Sequence, residues 1–394
     1  MVAAALGRIL DHELPAFAAS LSREDPAFAV RCASDGALSR ALDEARRALL
    51  RYATFLDDVC RPAAEPATGL GEQEVCFQLS ETMGIPDSPQ ALVDAARARL
   101  GQVQQQLLDA ASVVEGAPVL SLGAAREVVA RVQGPRPGSL DEVLDLYRSH
   151  VSRAAELVDR IAPGLLPPGW SVHVAPAPPG LPYAANWPAP LLDPGRGGCF
   201  FVPPDPQGHP LAWAASLAVH EAIPGHYLQS AAWQARFSTA SAPVRCLFMS
   251  DPVAIAHGFW GAMTNIEGWA VHAEGWMGRA GLYTPDEALC ALVSDAIRFA
   301  RVIADLSLQC GWMTDVEATE VLASACCVSP AMAAGEVARY RRIPLQSVTY
   351  GVGLLGLEAL LEERTASHGE RPLGETYAWW LDQGPVPPAD LQRR

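Results

Sequence analysis

Apolar residues recur every three or four positions along the first part of the chain, to about Ile161, with Asp and Arg on the opposite face. The pattern is clearest in residues 38–59, 89–114 and 139–161. In the last of these segments Ser139 is placed as a helix N-cap and Glu142 follows three residues later, which predicts a capping box. We therefore predict that residues 1–162 form an N-terminal bundle of helices.

Residues 163–210 differ in composition from the helical regions, because 14 of the 33 prolines fall there among several glycines. Among the large aromatic residues of the segment are Tyr183, Trp187, Phe200 and Phe201. Such side chains favour an ordered loop over an active site instead of a solvated linker. Cys199–Val202 (CFFV) is the best strand candidate. The strand ends at Pro203, which predicts an edge position.

Residues 211–394 return to helical periodicity, which continues to about Ala366 and is followed by a proline-rich tail. The pattern as a whole predicts a mainly α fold with one small strand. We expect the three regions to form one compact unit.

The overall charge narrows the possible functions. The formal charge of the 394 residues is −15, and all 29 basic residues are arginine. A negative chain is not expected to bind nucleic acid. The absence of lysine excludes a Schiff-base lysine and a P-loop lysine.

Composition also bears on the compartment. The opening MVAAALGRIL is too short an apolar run for a signal peptide, and no other run approaches a membrane span. The nine cysteines are scattered without C-x-x-C spacing, which is typical of reduced thiols. We therefore expect a cytoplasmic protein without a membrane partner. The sequence leaves the oligomeric state open.

His220 and Glu221 are followed by a second histidine, His226, six positions after the first. On an unbroken helix the two rings would lie about 120° apart and could not share a metal. Pro224 and Gly225 lie between them, and proline disfavours continued helix while glycine permits backbone angles closed to other residues. A kink or bulge that absorbs two residues would let both histidines face one metal. The alternative is a pair of histidines that only form hydrogen bonds at helix ends.

A later helix supplies two acids. Glu267 and Glu274 are seven residues apart and lie on one helical face among Trp and Ala. We expect one or both to meet a cation or a hydrogen-bonding partner; the alternative is an acidic helix edge in water. One glutamate would complete a His-His-Glu set with an open fourth position, as in catalytic zinc sites. Glu221 would then be the general base.

These residues belong to four blocks that occur in order over residues 195–370. The residues are His220, Glu221, Pro224, Gly225, His226 and Gln229; Glu267, Gly268, Trp269, Ala270 and Glu274; Arg298, Arg301 and Asp305; and Arg339, Tyr340, Pro344, Gln346, Tyr350 and Gly353. They resemble the patterns H-E-x-x-P-G-H-x-x-Q, E-G-W-A-x-Y-x-E, R-x-x-R-x-x-x-D-x-x-x-H and R-Y-x-x-x-P-x-Q-x-x-x-Y-x-x-G of the zincin-like bacterial proteins called DUF885. The N-terminal half resembles that family only in being helical.

The resemblance implies a helical zincin-like fold of the gluzincin type, with Cys199–Val202 as an edge strand that can pair with an extended substrate. It implies zinc held by His220, His226 and Glu267. Glu274 would form a hydrogen bond that steadies a ligand ring or, as the alternative, would be the third ligand.

The resemblance also implies how a substrate would be bound. Tyr350 would donate to an oxyanion, or would be an ordinary buried tyrosine. Arg339 and Arg301 would hold a substrate carboxylate, or would pair with Asp305 and Glu336. The predicted substrate-binding residues are Arg339, Arg301, Tyr340, Gln309, Phe200 and Phe201.

Three positions depart from the family pattern. Gln309 replaces a histidine, His272 replaces the usual tyrosine, and Leu345 replaces a common glycine. His272 could supply an additional ligand or base. A missing histidine would affect peptidase chemistry but not the metal ligands.

The sequence therefore predicts a zinc-dependent hydrolase of an amide or peptide-like bond in a small molecule or short peptide. One alternative is a metalloenzyme of small-molecule biosynthesis that performs a non-peptidase step. Iron is an option there, because two histidines and a carboxylate also suit ferrous chemistry. A helical binding protein with a vestigial site is the other alternative.

Overall fold

A computed structural model describes residues 35–63, 69–178, 181, 183–190, 194–236, 238–239 and 260–391. The protein is mainly helical. The helices are α1 (Gly36–Phe55), α2 (Glu72–Phe77), α3 (Pro89–Glu115), α4 (Leu122–Val132), α5 (Leu140–Ile161), α6 (Ala214–Glu221), α7 (His226–Arg236), α8 (Trp260–Arg279), α9 (Pro285–Gln309), α10 (Asp315–Ala325), α11 (Pro330–Arg342), α12 (Val348–His368), α13 (Leu373–Asp382) and α14 (Pro388–Leu391). Short π-helical turns, Leu56–Cys60 and Gln78–Thr82, follow α1 and α2.

The three helices predicted from periodicity are present as α1, α3 and α5. Residues 1–34, part of the predicted N-terminal bundle, lie outside the described residues. Ser139 caps α5 as predicted, and its hydroxyl accepts the Glu142 backbone N–H at 3.2 Å. The Glu142 carboxylate accepts from the Gly138 backbone N–H at 2.8 Å, one residue before the N-cap. The cap is therefore formed, but the reciprocal bond goes to Gly138 and not to Ser139 itself.

The sheet has three strands: β1 (Val172–Pro176), β2 (Ala185–Trp187) and β3 (Gly198–Val202). β3 lies in the middle, parallel to β1 and antiparallel to β2. The predicted strand exists, but its predicted edge position is wrong. Pro203 lies after the last residue of β3. Its lack of a backbone N–H therefore does not prevent β3 from pairing with β1 and β2.

Chain packing divides the protein into two units. One comprises Met1–Thr68 and Ala177–Tyr183, and its described secondary structure is α1 with the π-helical turn that follows it. The other comprises Gly69–Pro176 and Ala184–Arg394 and holds every candidate site residue. The predicted region boundaries at residues 162 and 210 both lie within this second unit.

The structure also describes the cysteines and the apolar character of the helices. The seven cysteines within the described residues are all free thiols. In that same part of the chain, no helix has the length and apolar character needed to cross a lipid bilayer.

Two large apolar clusters make up most of the core of the larger unit, and a small third one contains Trp233, Met263 and Ile266. Of the two large clusters, one is built mainly by α3, α4, α9, α10 and α11, and the other mainly by α5, the sheet, α6, α7 and α13. Helix α8 contributes to both, because Val271 packs in the first cluster and Trp269 in the second. The helix that carries Glu267 is therefore held on two sides.

Helices α8 and α12 cross at two glycines. A Cβ atom on Gly268 would lie 2.4 Å from the Gly353 carbonyl carbon, and one on Gly353 would lie 2.1 Å from Thr264 O. Only glycine permits this approach at both positions. The crossing brings Tyr350, on α12, toward Glu267.

Candidate metal centre

The helix that begins with α6 breaks between the two histidines, as the sequence predicts. α6 ends at Glu221 and α7 begins at His226. Across the break, the Gly225 backbone N–H donates to Val219 O at 2.9 Å and the Leu228 N–H donates to Ala222 O at 3.3 Å. Each bond spans six residues instead of the four of an α-helix. The break therefore absorbs two residues, as the i, i+6 spacing of the histidines requires.

Gly225 is required by this backbone path. A Cβ atom at that position would lie 1.9 Å from His220 O and 2.3 Å from Val219 O. Any larger residue would push the two helices apart, so the P-G pair of the sequence has a direct steric reason.

Three potential ligand atoms converge. Glu267 Oε2 lies 3.4 Å from His220 Nε2 and 3.5 Å from His226 Nε2, and one ligand atom from each residue lies within 4.8 Å of the other two. Ligands on a tetrahedral zinc at 2.0–2.1 Å are separated by about 3.3 Å, so the spacing fits such an ion. Within the described residues, this is the one group of at least three His, Cys, Asp or Glu side chains with metal-site geometry.

Glu267 supplies a buried oxygen atom that has no hydrogen-bond partner among the described residues. Its side chain is buried, and among the described residues Oε2 has no hydrogen bond, since both histidine contacts are longer than a good N–H···O bond. Burial raises the pKa of Glu267, but His220 and His226 outweigh burial and hold that pKa well below its usual value. A buried, ionised oxygen without a donor fits a bound cation.

The outer nitrogen of His220 has a partner. His220 Nδ1 donates to Glu274 Oε1 at 2.7 Å, and the Arg298 guanidinium donates to the same oxygen at 3.3 Å. This bond fixes the tautomer and leaves Nε2 to face Glu267. The spacing of seven residues thus places both acids toward His220: Glu274 contacts Nδ1 and Glu267 faces Nε2.

The carboxylates of Glu267 and Glu274 also favour a proton on His220. Burial lowers the pKa of His220, but the nearby carboxylates of Glu267 and Glu274 outweigh burial and raise it to about 9. Bound metal would replace that proton as the partner of the carboxylates.

Glu221 is buried at the end of α6, next to His220 in the chain. Burial and the charge of Glu221 both raise the pKa of Tyr147, so the two side chains lie near each other. The Tyr147 hydroxyl forms a 2.9 Å bond with His209 Nδ1, and His209 Nε2 donates to Pro203 O at 2.7 Å. Tyr147 and His209 were not predicted as site residues. They lie 62 positions apart in the sequence, and no motif connects them.

Tyr350 lies beside His220. The two rings are 6.2 Å apart between centroids and inclined by 16°. The Arg339 guanidinium donates to the Tyr350 hydroxyl at 3.3 Å. Burial and the charge of Glu267 raise the pKa of Tyr350, while nearby arginines oppose that rise. The phenol therefore keeps its proton at neutral pH.

Arg301 has a partner within the protein. Its guanidinium donates to both oxygens of Glu336, at 2.7 and 2.9 Å, and the Tyr340 hydroxyl donates to the same carboxylate at 3.0 Å. Of the two uses predicted for Arg301, the structure contains the internal ion pair. Tyr340 is fully buried beside it.

Gln309 is also buried, and its amide nitrogen donates to Asp305 Oδ1 at 3.1 Å and to Tyr340 O at 3.2 Å. Both interactions are with the protein, so the position that departs from the family histidine holds α9 against α11. Leu345 adopts a φ of 65°, a left-handed conformation that glycine accepts at lower cost. This explains why the resemblance places glycine there.

The two phenylalanines of β3 point to opposite faces. Phe200 is fully buried, and its ring centroid lies 5.2 Å from that of Tyr147. Phe201 is half-buried and packs edge-on against Trp187 at 5.3 Å. Phe201 is therefore the member of the predicted pair that can line a surface, and Phe200 belongs to the core.

His272 does not join the three converging residues. It is buried, with Nε2 bonded to the Tyr377 hydroxyl at 3.0 Å. Burial and, to a smaller extent, Arg279 lower the pKa of His272 to about 3.

The neutral, buried state of His272 predicts a pH dependence of stability. Its pKa is lower in the folded protein than the usual 6.5, so its contribution is complete above pH 6.5 and is lost as pH falls toward 3. We expect His272→Phe to reduce the slope of unfolding free energy against pH between 5 and 6.5, by up to about 1.4 kcal/mol per pH unit. Tyr377→Phe keeps the imidazole buried and should keep the slope. Denaturant titrations at several pH values measure both, and equal slopes for His272→Phe and wild type would contradict the assignment.

Trp269 connects the helix break to α8. Its indole Nε1 donates to Pro224 O at 2.8 Å and to Gly225 O at 3.3 Å. One side chain therefore satisfies two carbonyl groups in the break and holds them against the helix of Glu267.

We expect Trp269→Phe to destabilise the protein by about 1–3 kcal/mol, because the break carbonyls lose a buried donor. Zinc affinity should fall about tenfold, as for other residues that support ligands. Trp276→Phe is the matched control, since Trp276 is buried on the same helix and its Nε1 has no hydrogen-bond partner in the described chain. Chemical denaturation and zinc titration of both variants would compare them. Equal losses would show that ring packing, not the indole donor, matters.

Two solved structures share the fold of this chain. The chain superposes on a "putative lipoprotein" from Colwellia psychrerythraea with a TM-score of 0.72 at 19% identity, covering 90% of this chain and 60% of that one. It superposes on a "putative lipoprotein of unknown function" from Shewanella oneidensis with a TM-score of 0.69 at 20% identity, covering 96% of this chain and 69% of that one. Likeness at this identity shows the fold alone.

A comparison with curated proteins finds no match. The family described as "Bacterial protein of unknown function (DUF885)" matches residues 2–394. The match includes the N-terminal half, which lies outside the four motif blocks of residues 195–370. The chain therefore belongs to the DUF885 family.

Proposed function

We propose that this protein is a metal-dependent hydrolase of an amide or peptide-like bond, with zinc held by His220, His226 and Glu267. The convergence of these three ligand atoms in a buried site carries the proposal. Glu267 Oε2, ionised and without a donor among the described residues, supports it further. A set of three protein ligands leaves the fourth position for a reactant.

Bound zinc would supply a Lewis acid that polarises a carbonyl group and increases the acidity of water. Glu221 would accept a proton from the attacking water and pass it to the departing amine. Its place beside His220 in a buried site supports this role, because a carboxylate shielded from solvent exchanges its proton with the reactants.

Tyr350 would donate a hydrogen bond to the oxygen that becomes negative during attack. The role requires a protonated phenol next to the ligands. The raised pKa of Tyr350 and its position against the His220 ring support that requirement.

Glu274 and Arg298 would act through His220. The Glu274 carboxylate holds the His220 ring, and Arg298 holds the carboxylate. Such outer contacts raise the basicity of a ligand and limit its rotation.

Elemental analysis and a hydrolysis assay test the proposal together. We expect about one zinc per chain, cleavage of members of a library of short peptides with free carboxyl termini, loss of cleavage after chelation and recovery on adding zinc. Zinc without any cleavage would contradict peptide hydrolysis. Iron as the bound metal, with oxygen consumption on a small molecule, would favour the biosynthetic alternative.

A further inference from the structure

Three guanidinium groups surround the ring of Tyr350. The guanidinium carbons of Arg298, Arg301 and Arg339 lie 5.0, 5.0 and 5.7 Å from the ring centroid. They come from α9 and α11, while Tyr350 comes from α12. In a chain with a formal charge of −15, this is a local concentration of positive charge.

Two of the three arginines are matched by carboxylates. Arg301 uses both oxygens of Glu336, which also accepts from Tyr340. Arg298 donates to Glu274, the carboxylate that holds His220. Both guanidinium groups therefore already have a carboxylate partner within hydrogen-bonding distance.

Arg339 is different from the other two. In the described chain no carboxylate oxygen is closer to it than Glu336 Oε1, at 4.0 Å. Its hydrogen bonds go to neutral groups, the Gln346 side-chain oxygen and the Tyr350 hydroxyl. Its side chain is 25% exposed, compared with 14% for Arg298 and 8% for Arg301. Arg339 is therefore the most exposed of the three arginines and the one with the longest separation from a carboxylate.

We propose that Arg339 binds a carboxylate of the substrate, which deepens and rests on the proposed hydrolase function. A guanidinium presents paired N–H donors that match the two oxygens of a carboxylate. The partly buried position strengthens such a bond relative to open water. Gln346 and Tyr350 hold the guanidinium from one side.

The distance to the candidate metal ligands limits the substrate. The Arg339 guanidinium carbon lies 5.7 Å from the Tyr350 ring centroid, which lies 6.2 Å from that of His220. The guanidinium is therefore within about 12 Å of the ligand ring, and one extended residue spans roughly 3.3–3.6 Å. After allowance for contact distances at both ends, at most about two residues separate the carboxylate from the bond to be cleaved.

The substrate class is an N-acylated amino acid or the carboxyl end of a short peptide. Hydrolysis would consume one water molecule, break the C–N bond and release a carboxylic acid and an amine that retains the recognised carboxylate. The enzyme would thus remove material from the carboxyl end and not cleave within a long chain.

N-benzoylglycine and its primary amide are suitable probes, because they differ only in the charged group. Binding is measured by calorimetry, with zinc-loaded and with metal-free protein. Wild type is expected to bind the acid at least about tenfold more tightly than the amide. Arg339→Gln should reduce that ratio to within about twofold. Arg341→Gln, on the same helix and paired with Asp315 at 2.7 Å, should keep the wild-type ratio.

The outcomes separate this inference from the proposed function. Preference for the acid in wild-type protein that takes up no zinc when zinc is supplied would support Arg339 while contradicting the metal hydrolase. Normal zinc content without preference for the acid would overturn the Arg339 assignment alone. A preference retained in Arg339→Gln, with folding verified by circular dichroism, would also overturn it.

Discussion

Replacing Glu221 with glutamine is expected to leave zinc bound and to lower kcat/KM for amide hydrolysis by about 10²- to 10⁴-fold. The magnitude is that of a general base, since glutamine keeps the size of the side chain but cannot accept the proton of the attacking water. Glu221 is not among the three converging residues, so the metal should stay. Elemental analysis and steady-state kinetics on a peptide cleaved by wild type measure the two effects separately.

Glu287→Gln is the control for this experiment. Glu287 is also buried, at the start of α9, and pairs with Arg153 at 2.7 Å. Its replacement tests the general cost of losing a buried carboxylate and should leave kcat/KM within about twofold, because no catalytic step uses it. Loss of zinc along with activity in Glu221→Gln would contradict the general-base role, and so would full retention of activity.

Replacing Glu267 with glutamine is expected to remove most of the zinc. The amide is neutral, so the cation loses the negative charge that pairs with it in the buried site. Glu274→Gln should retain zinc with affinity reduced by roughly 10- to 100-fold, the range for partners of ligand histidines. The reason is that Glu274 contacts His220 Nδ1, while Glu267 faces Nε2 of both histidines.

Competition with a fluorescent zinc chelator ranks the two variants, and elemental analysis gives the zinc content of each. Zinc retained in Glu267→Gln and lost in Glu274→Gln would reverse the assignment of ligand and supporting residue. Circular dichroism of both variants separates loss of zinc from loss of fold.

Features encoded locally could be predicted from the sequence. The helices follow from the spacing of apolar residues, and the break follows from Pro224 and Gly225 because their backbone effects do not depend on distant contacts. β1 and β2 were missed. Both are short and lie among prolines, and their pairing with β3 is set by residues that are distant in the sequence. The central position of β3 depends on the same pairing.

The candidate site shows the same division. His220, His226 and Glu267 could be proposed together because two helical motifs contain them. The choice between substrate binding and an internal ion pair for Arg301 depends on Glu336, 35 residues away on another helix. Tyr147 could not be distinguished from other apolar-face residues of α5, because its neighbour Glu221 is brought to it only by folding.

Anomalous diffraction at the zinc edge, from crystals of protein purified with its metal, tests the central claim most directly. We expect one strong peak about 2.0–2.2 Å from His220 Nε2, His226 Nε2 and a Glu267 oxygen. A stoichiometric peak bound by other residues would contradict it, as would zinc-supplemented crystals with no peak between the two imidazoles.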